Sequence, residues 1–295
     1  MIEPSTALVL ARFVFDIAAL FLWGAGLFAW LLAPGPLGKE TWQRLAVARN
    51  VAVLAIVGAV LLMLPTRAAG LGNGWLSALD SGLVWLMLWN TSIGSSWLVQ
   101  ARISLVLLGL VAVNMGGPAR TATLAGLLLL STVLTGHAAM SAGWLKMAHQ
   151  ANSAVHVLSA GAWVGALVPL LVVMANLKDA NSQNVRKALM SFSTMGHVAV
   201  IAVVLTGFAS AFLILERLPL PPQSTYEILL WLKIAVIVAM VSLAIINRYI
   251  FVPRLRSWVG AKKALIGGTW AEIALTMVAV ALVAWFGTLS PMPLQ

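Results

Sequence analysis

The chain has 295 residues, of which 61% are hydrophobic and 9% are charged, and its mean hydropathy is +0.99. Soluble domains carry about 25% charged residues, so this composition excludes a water-soluble fold and indicates that lipid is the solvent. The 18 Lys and Arg residues outnumber the 8 Asp and Glu residues, but they lie in short segments between apolar stretches, which argues against nucleic-acid binding.

Eight apolar stretches are long enough to cross a bilayer, which takes about 20 residues. They predict an all-α integral membrane protein, a bundle of about eight transmembrane helices. In chain order the stretches are approximately 8–32, 46–64, 97–115, 120–140, 149–176, 190–215, 225–249 and 267–288. The first stretch follows neither a basic segment nor a small-residue cleavage site, so we expect a retained helix rather than a signal peptide.

The segment near 75–95 interrupts this pattern. It contains Asp80 and three tryptophans, and its apolar run is broken. These features predict an interfacial or re-entrant segment rather than a ninth span.

The distribution of cations predicts the orientation of the bundle. The loops after the odd-numbered spans contain twelve of the 18 cations: Lys39, Arg44, Arg49, Arg120, Lys178, Arg186, Lys187, Arg248, Arg254, Arg256, Lys262 and Lys263. The opposite side contains six: Arg12, Arg67, Arg102, Lys146, Arg217 and Lys233. Because cytoplasmic loops are richer in Lys and Arg, both termini are expected outside, in the periplasm of a Gram-negative host.

Three of the four histidines, His137, His149 and His156, fall within twenty positions at the junction of the fourth and fifth spans. Met140 and Met147 lie between them. Ionisable side chains inside a membrane are costly, so they indicate function by default. With no cysteine in the chain, imidazole and thioether remain as soft ligands, and this pair suits copper.

The spacing within the fifth span separates two of these histidines. His149 is expected to open this span at the outer surface, and His156 follows at i+7, roughly 10 Å deeper. Because metal–imidazole bonds are about 2.0–2.1 Å long, the two side chains are expected to form successive stations, with His137 level with one of them. The alternative is that His149 is an interfacial residue in contact with water.

His197 lies in the sixth span and is expected in the inner half of the membrane, too far from the other histidines to share an ion. It is a possible second site, either an inner station or a ligand of another cofactor. The structural alternative is a histidine bonded to a serine or to a backbone carbonyl.

Charged residues within the spans form a second group. Arg12 and Asp16 are four residues apart, so they are able to pair on one face of the first helix. Lys233 lies about two turns into the seventh span and would be neutralised by Asp16 or Glu227. Such a pair either locks helix packing or serves as a counter-charge or proton relay.

The residues Gly161-Ala-Trp-Val-Gly165 follow His156 directly. Small residues four apart allow helix backbones to approach closely in lipid. The fifth span is therefore expected at the centre of the bundle.

Several short motifs resemble one family when their order and spacing are taken together. They are GHAAM (136–140), HQANSAVHVLSAGAWVGAL (149–167), FSTMGHVAVIAVVLTG (192–207), LLWLKIAVI (229–237) and NRYIFVPRL (247–255). The pattern resembles the CopD family of bacterial inner-membrane copper-resistance proteins, the PcoD and YebZ group. It is strongest over 135–295, which we expect to form a CopD-like membrane region after a less diagnostic half at 1–134.

The resemblance implies a multi-pass inner-membrane protein that handles copper for resistance or homeostasis. It also implies a separate periplasmic CopC-type copper carrier as partner, and His137, His149 and His156 as candidate copper ligands. The chain contains no GxxxxGK[ST] motif, so we expect copper transport without an ATPase, and no enzyme activity.

Two alternatives remain open. Histidines on neighbouring helices ligate haem iron in b-type cytochromes, so a haem protein for transmembrane electron transfer is possible. The other alternative is that the chain is a structural partner in a membrane complex and that its histidines have no functional role.

The cation asymmetry gives the first testable prediction. A reporter that is active only in the periplasm should be active when fused after Gln295, and one that is active only in the cytoplasm should be silent there. The reverse pattern of activity would show that the bundle is inserted the other way round.

Overall fold

The protein is helical throughout the part of the chain that the structure describes. This computed structural model describes residues 2–134, 143–175, 183–215, 222, 224–256 and 260–289. Eleven α-helices lie within these ranges: α1 Pro4–Leu27, α2 Gly35–Arg44, α3 Ala46–Leu71, α4 Ser81–Asn90, α5 Ser92–Ala112, α6 Pro118–Thr132, α7 Gly143–Val164, α8 Leu167–Ala175, α9 Gln183–Leu215, α10 Thr225–Ile246 and α11 Ala261–Phe286.

Seven helical stretches of the described chain are long and apolar enough to cross a membrane, as an integral membrane protein requires. Two of these stretches consist of an α-helix followed by a π-helical turn, and one comprises both α7 and α8. They are Pro4–Leu32, Ala46–Leu71, Ser92–Ala112, Gly143–Ala175, Gln183–Leu215, Thr225–Phe251 and Ala261–Phe286. The fourth predicted span, 120–140, corresponds to α6, which has 15 residues before the described chain stops at residue 134.

The segment near 75–95 forms two short helices instead of a span. A 3₁₀ turn at Trp75–Leu79 precedes α4, which has 10 residues and therefore a length of about 15 Å, half a hydrocarbon core. Asp80 caps α4 by accepting hydrogen bonds from the backbone N–H groups of Gly82 and Leu83. The expectation of a segment that does not span is confirmed.

Helix α3 is longer than the sequence suggested. The predicted span ended at residue 64, before Pro65, whereas the helix continues to Leu71. The Thr66 hydroxyl donates to the carbonyls of Leu62 and Met63, which compensates the turn that Pro65 disturbs. As a result, Arg67 lies on a helix, and its expected place in a loop was wrong.

Helix α1 is the central helix of the bundle and packs against α3, α6, α7 and α11. Its buried side chains recur every three or four residues, which is the period of one helix face. They include Ala11, Phe15, Ala18, Leu22 and Ala25. Lipid tails are as apolar as these side chains, so close packing rather than water exclusion holds the helices together.

The tightest contact in the bundle lies between α1 and α7. A Cβ atom added to Gly165 would overlap the carbonyl oxygen of Leu20, and one added to Gly24 would overlap the backbone at Gly161 and Gly165. Nearby, the Trp23 indole donates to the carbonyl of Leu158 across 2.9 Å. The small residues at 161 and 165 therefore allow the fifth span to pack directly against α1, the close approach that the sequence predicted.

The helix directions give the bundle two distinct ends. Helices α1, α7 and α10 begin, and α3, α9 and α11 finish, at what we call the amino-terminal end. Helix α9 packs along α7 but has little direct contact with α10 or α11 in the described residues. The side of the bundle between α9 and α10 is therefore loosely closed.

The glycine contact gives the second prediction. Gly165→Ala should destabilise the fold by about 1–3 kcal/mol, because the new methyl group forces the backbones of α1 and α7 apart. Gly58→Ala is the matched control, since a Cβ there meets nothing within 4 Å. Thermal unfolding in detergent measures both variants. Equal melting temperatures for the two variants would show that the contact between α1 and α7 accommodates the new methyl group without loss of stability, which would contradict the prediction.

Candidate functional site: a polar cavity at the amino-terminal end

A cavity of about 780 Å³ lies inside the bundle at its amino-terminal end. Eight helices contribute to its wall: α1, α3, α5, α6, α7, α9, α10 and α11. Most of the wall is apolar, but polar side chains from separate helices meet there. They are Arg12, Asp16, Arg67, Ser96, Gln100, Thr132, His149, Ser153, His156, Ser210, Tyr226, Lys233 and Thr276.

Helix α7 presents one polar face to this cavity. His149, Ser153 and His156 line the cavity at spacings of four and three residues, so they lie on one side of the helix. Because α7 begins at Gly143, His149 lies almost two turns inside the helix and is only 3% exposed. The expectation that His149 opens the span at the outer surface was therefore wrong.

His156 is held in one tautomer by its neighbours on α9. Its Nδ1 lies 2.9 Å from Oγ1 of Thr206, and that hydroxyl donates its own proton to the Ala202 carbonyl. The histidine must therefore donate from Nδ1, which leaves the Nε2 lone pair of the neutral ring unprotonated. Metal-binding histidines are oriented in the same way, by a hydrogen bond on the nitrogen that does not bind the metal.

Asn152 fastens α7 to α9 beside this histidine. Its Nδ2 donates to the backbone carbonyl of Thr206 at 3.0 Å and to Oγ of Ser210 at 2.8 Å. Asn152 and Thr206 were not singled out from the sequence. The available signal was a strong polar side chain within an apolar helix, which requires a partner in lipid.

The remaining predicted ligands lie elsewhere. His137 and Met140 belong to residues 135–142, outside the described residues. Met147 is 72% exposed and does not line the cavity. No group of three or more His, Asp or Glu side chains that could hold a metal ion occurs within the described ranges.

His197 is separate from the cavity, at the other end of the bundle. Its Nδ1 donates to the Ser193 carbonyl across 2.6 Å. In the neutral ring Nε2 then has no proton, so it accepts a hydrogen bond from the Tyr249 hydroxyl at 3.0 Å. Both ring nitrogens are therefore occupied, as in the structural alternative that the sequence left open.

The charged residues that line the cavity do not form the expected ion pairs. Within the described residues, neither Asp16 nor Lys233 has an oppositely charged group within 4.0 Å, whereas Arg44 and Glu40 pair at 2.7 Å on exposed α2. Arg12 donates instead to the carbonyl of Gly287 at 2.9 Å and attracts Asp16 at longer range. Pairing of Lys233 with Asp16 or Glu227 was a wrong expectation for the described residues. Glu227 lies six residues before Lys233 on α10, which places the two side chains on different sides of the helix, and Asp16 belongs to α1.

Comparison with known proteins identifies related chains. Residues 1–147 match the family model for the copper resistance protein D-like N-terminal domain, and residues 186–286 match that for copper resistance protein D. Inner membrane protein YebZ of Escherichia coli (strain K12) is 32% identical over 288 residues, which cover 95% of this chain and 97% of that protein. Copper resistance protein D of Pseudomonas syringae pv. tomato is 26% identical over 301 residues, which cover 96% of each chain.

A third relative matches part of the chain. Copper transport protein CutJ of Bacillus subtilis (strain 168) is 28% identical over 206 residues, which cover 66% of this chain and 38% of that protein. No solved structure gives a significant match. His149 and His156 lie between the two ranges that the family models match, whereas Arg12, Asp16, Arg67 and Lys233 lie within those ranges.

The third prediction concerns Lys233. Its ammonium group has no ion-pair or hydrogen-bond partner among the described residues and lies 5.7 Å from the ring centroid of Phe286. A charge at mid-span costs about 2.5–3.5 kcal/mol on insertion scales, which is an upper guide for this site. Lys233→Met should therefore raise the melting temperature of protein kept in chloride buffer.

Lys146→Met is the control for this measurement, because Lys146 is an exposed cation on α7, and its removal should leave the melting temperature unchanged. A lower melting temperature for Lys233→Met would reveal a stabilising partner of the ammonium group and contradict the prediction.

Proposed function

Because the chain belongs to the copper resistance protein D family, we propose that it binds copper in the amino-terminal cavity and moves it across the bacterial inner membrane. Copper is the cargo in this proposal. The names of two relatives, an inner membrane protein and a copper transport protein, support the location and the cargo. The observation that carries the proposal is that two histidines predicted from the sequence line one large cavity inside the membrane bundle.

His156 is the principal ligand in this proposal. Its Nε2 lone pair is unprotonated, because Thr206 fixes the proton on Nδ1. Imidazole is a good ligand for copper, and the hydrogen bond on Nδ1 orients the ring and strengthens Nε2 as a donor. His149, roughly 10 Å away along α7, forms a second station rather than part of the same coordination sphere.

The segment before α7 supplies the remaining ligands in the proposal. Residues 135–142 connect α6, whose Thr132 lines the cavity, to α7, whose His149 does so too. We assign His137 and Met140 of this segment to the outer station. Met147 is exposed on the first turns of α7, and we assign to it the first contact with incoming copper.

The direction of entry follows from the orientation predicted by the loop charges. The amino-terminal end of the bundle lies opposite the cation-rich loops, so it faces the periplasm under the positive-inside rule. Copper would then reach His149 from a periplasmic CopC-type carrier. In this proposal the protein is a transporter with no catalytic residue and no ATPase of its own.

The fourth prediction tests the ligand assignment. His156→Ala should lose most of its bound copper, while His149→Ala should load more slowly from the carrier but retain copper at His156. His197→Ala is the control and should keep its copper, because His197 lies outside the cavity. Copper content per purified protein, with stopped-flow loading from the carrier, measures these effects.

Thr206→Val separates ligand binding from folding. This variant keeps the shape of Thr206 but removes the acceptor for Nδ1, so copper affinity should fall by about 10–100-fold without loss of the folded protein. Equal copper content in wild type and a His149/His156 double variant would reject the site. A Soret band lost with these histidines would instead identify a haem protein.

A further inference from the structure

The cavity carries an excess of positive charge that the copper proposal leaves unexplained. Among the described residues, three cations line it, Arg12, Arg67 and Lys233, against one carboxylate, that of Asp16. With Asp16 ionised and both histidines neutral, this described lining has a net charge of +2. A bare copper ion would add to that charge in a setting where uncompensated charge is expensive.

Arg67 is the most informative of these residues. It lies in the last turns of α3, two residues after Pro65, and lines the cavity. Its guanidinium group makes no hydrogen bond or ion pair with any described residue, although it offers five N–H donors. Arg12 lies close enough to repel it electrostatically. Asp16 offsets only one of these two charges, and guanidinium groups with free N–H donors are suited to bind an anion.

Lys233 extends this positive field toward the histidines. It has no ion-pair partner within the described residues and repels positive charge on His156. The apolar lining residues of α9 and α10 include Phe208, Phe212 and Trp231, which are exposed. This part of the lining belongs to the side of the bundle where α9 and α10 have little direct contact in the described residues.

We infer that the cavity binds an anionic group, of the phosphate or carboxylate type, between Arg67, Arg12 and Lys233 and beside the histidines. The anion compensates the buried cations, and guanidinium groups bind such oxyanions through paired N–H donors. Two sources carry this chemistry: a free anion that enters from water, and the headgroup of an acidic lipid that enters between α9 and α10. On the proposed function, copper would then move beside an anion or as an anionic complex.

Copper-free protein in an uncharged detergent tests the inference, with radiolabelled inorganic phosphate in equilibrium dialysis. Wild type should bind phosphate, and Arg67→Gln and Lys233→Met should each weaken binding at least tenfold. Arg67→Lys keeps the charge but loses the paired N–H donors, so it should bind phosphate more weakly than wild type and more tightly than Arg67→Gln. Arg44→Gln is the matched control, because Arg44 is an exposed cation of α2 outside the cavity, and it should bind as wild type does.

A second arm identifies a lipid source. Wild type is reconstituted in phosphatidylcholine with phosphatidylglycerol and then washed with detergent. If the lipid headgroup is the ligand, wild type should retain phosphatidylglycerol, and Arg67→Gln and Lys233→Met should lose it. Native mass spectrometry counts the retained lipid. If neither phosphate nor phosphatidylglycerol binds in a way that depends on Arg67 and Lys233, the inference is overturned. Because copper is absent, this result is independent of the copper content of His156→Ala.

Discussion

The contact of α1 with α7 at Gly24, Gly161 and Gly165 is the constraint on which the site depends. Without side chains between them, the two backbones meet directly, and the relative position of the helices is fixed at that point. Toward the amino-terminal end from this contact, α1 carries Arg12 and Asp16, and α7 carries His149 and His156. Both pairs line the same cavity because the helices are fixed at the glycines and are separated by larger side chains beyond them.

Burial in a membrane protein has a different meaning from burial in a soluble one. Apolar side chains gain little when they leave lipid for the interior, so the bundle rests on close packing and on hydrogen bonds between helices. The polar groups of the cavity gain nothing from lipid, and Asp16, Arg67 and Lys233 have no ion-pair partner among the described residues. Burying these groups in the membrane costs free energy and does not stabilise the fold. We therefore expect the function of the protein to depend on the cavity.

Composition and periodicity were sufficient to predict the helical membrane fold. Five residues singled out from the sequence line the cavity: Arg12, Asp16, His149, His156 and Lys233. The errors came from helix boundaries and from tertiary distances. The second predicted span ended at residue 64, but the helix continues through Pro65, where Thr66 bonds the preceding turn, and this brings Arg67 inside. To predict whether Lys233 pairs with Asp16, the distance between their helices must be known, and the spacing of residues along the sequence does not give it. Thr206 shows the same limit, because its role depends on a histidine fifty residues away.

The hydrogen bond from His156 to Thr206 also has a consequence for proton traffic. Since Nδ1 is committed to the hydroxyl and the hydroxyl to the Ala202 carbonyl, Nε2 is the single ring atom that accepts either a proton or a metal ion. The two are therefore mutually exclusive at this residue. On the proposed function, His156 receives a metal ion in its neutral form, so no proton has to leave Nε2 before the ion binds. A proton that reached Nε2 first would block the ligand until it departed.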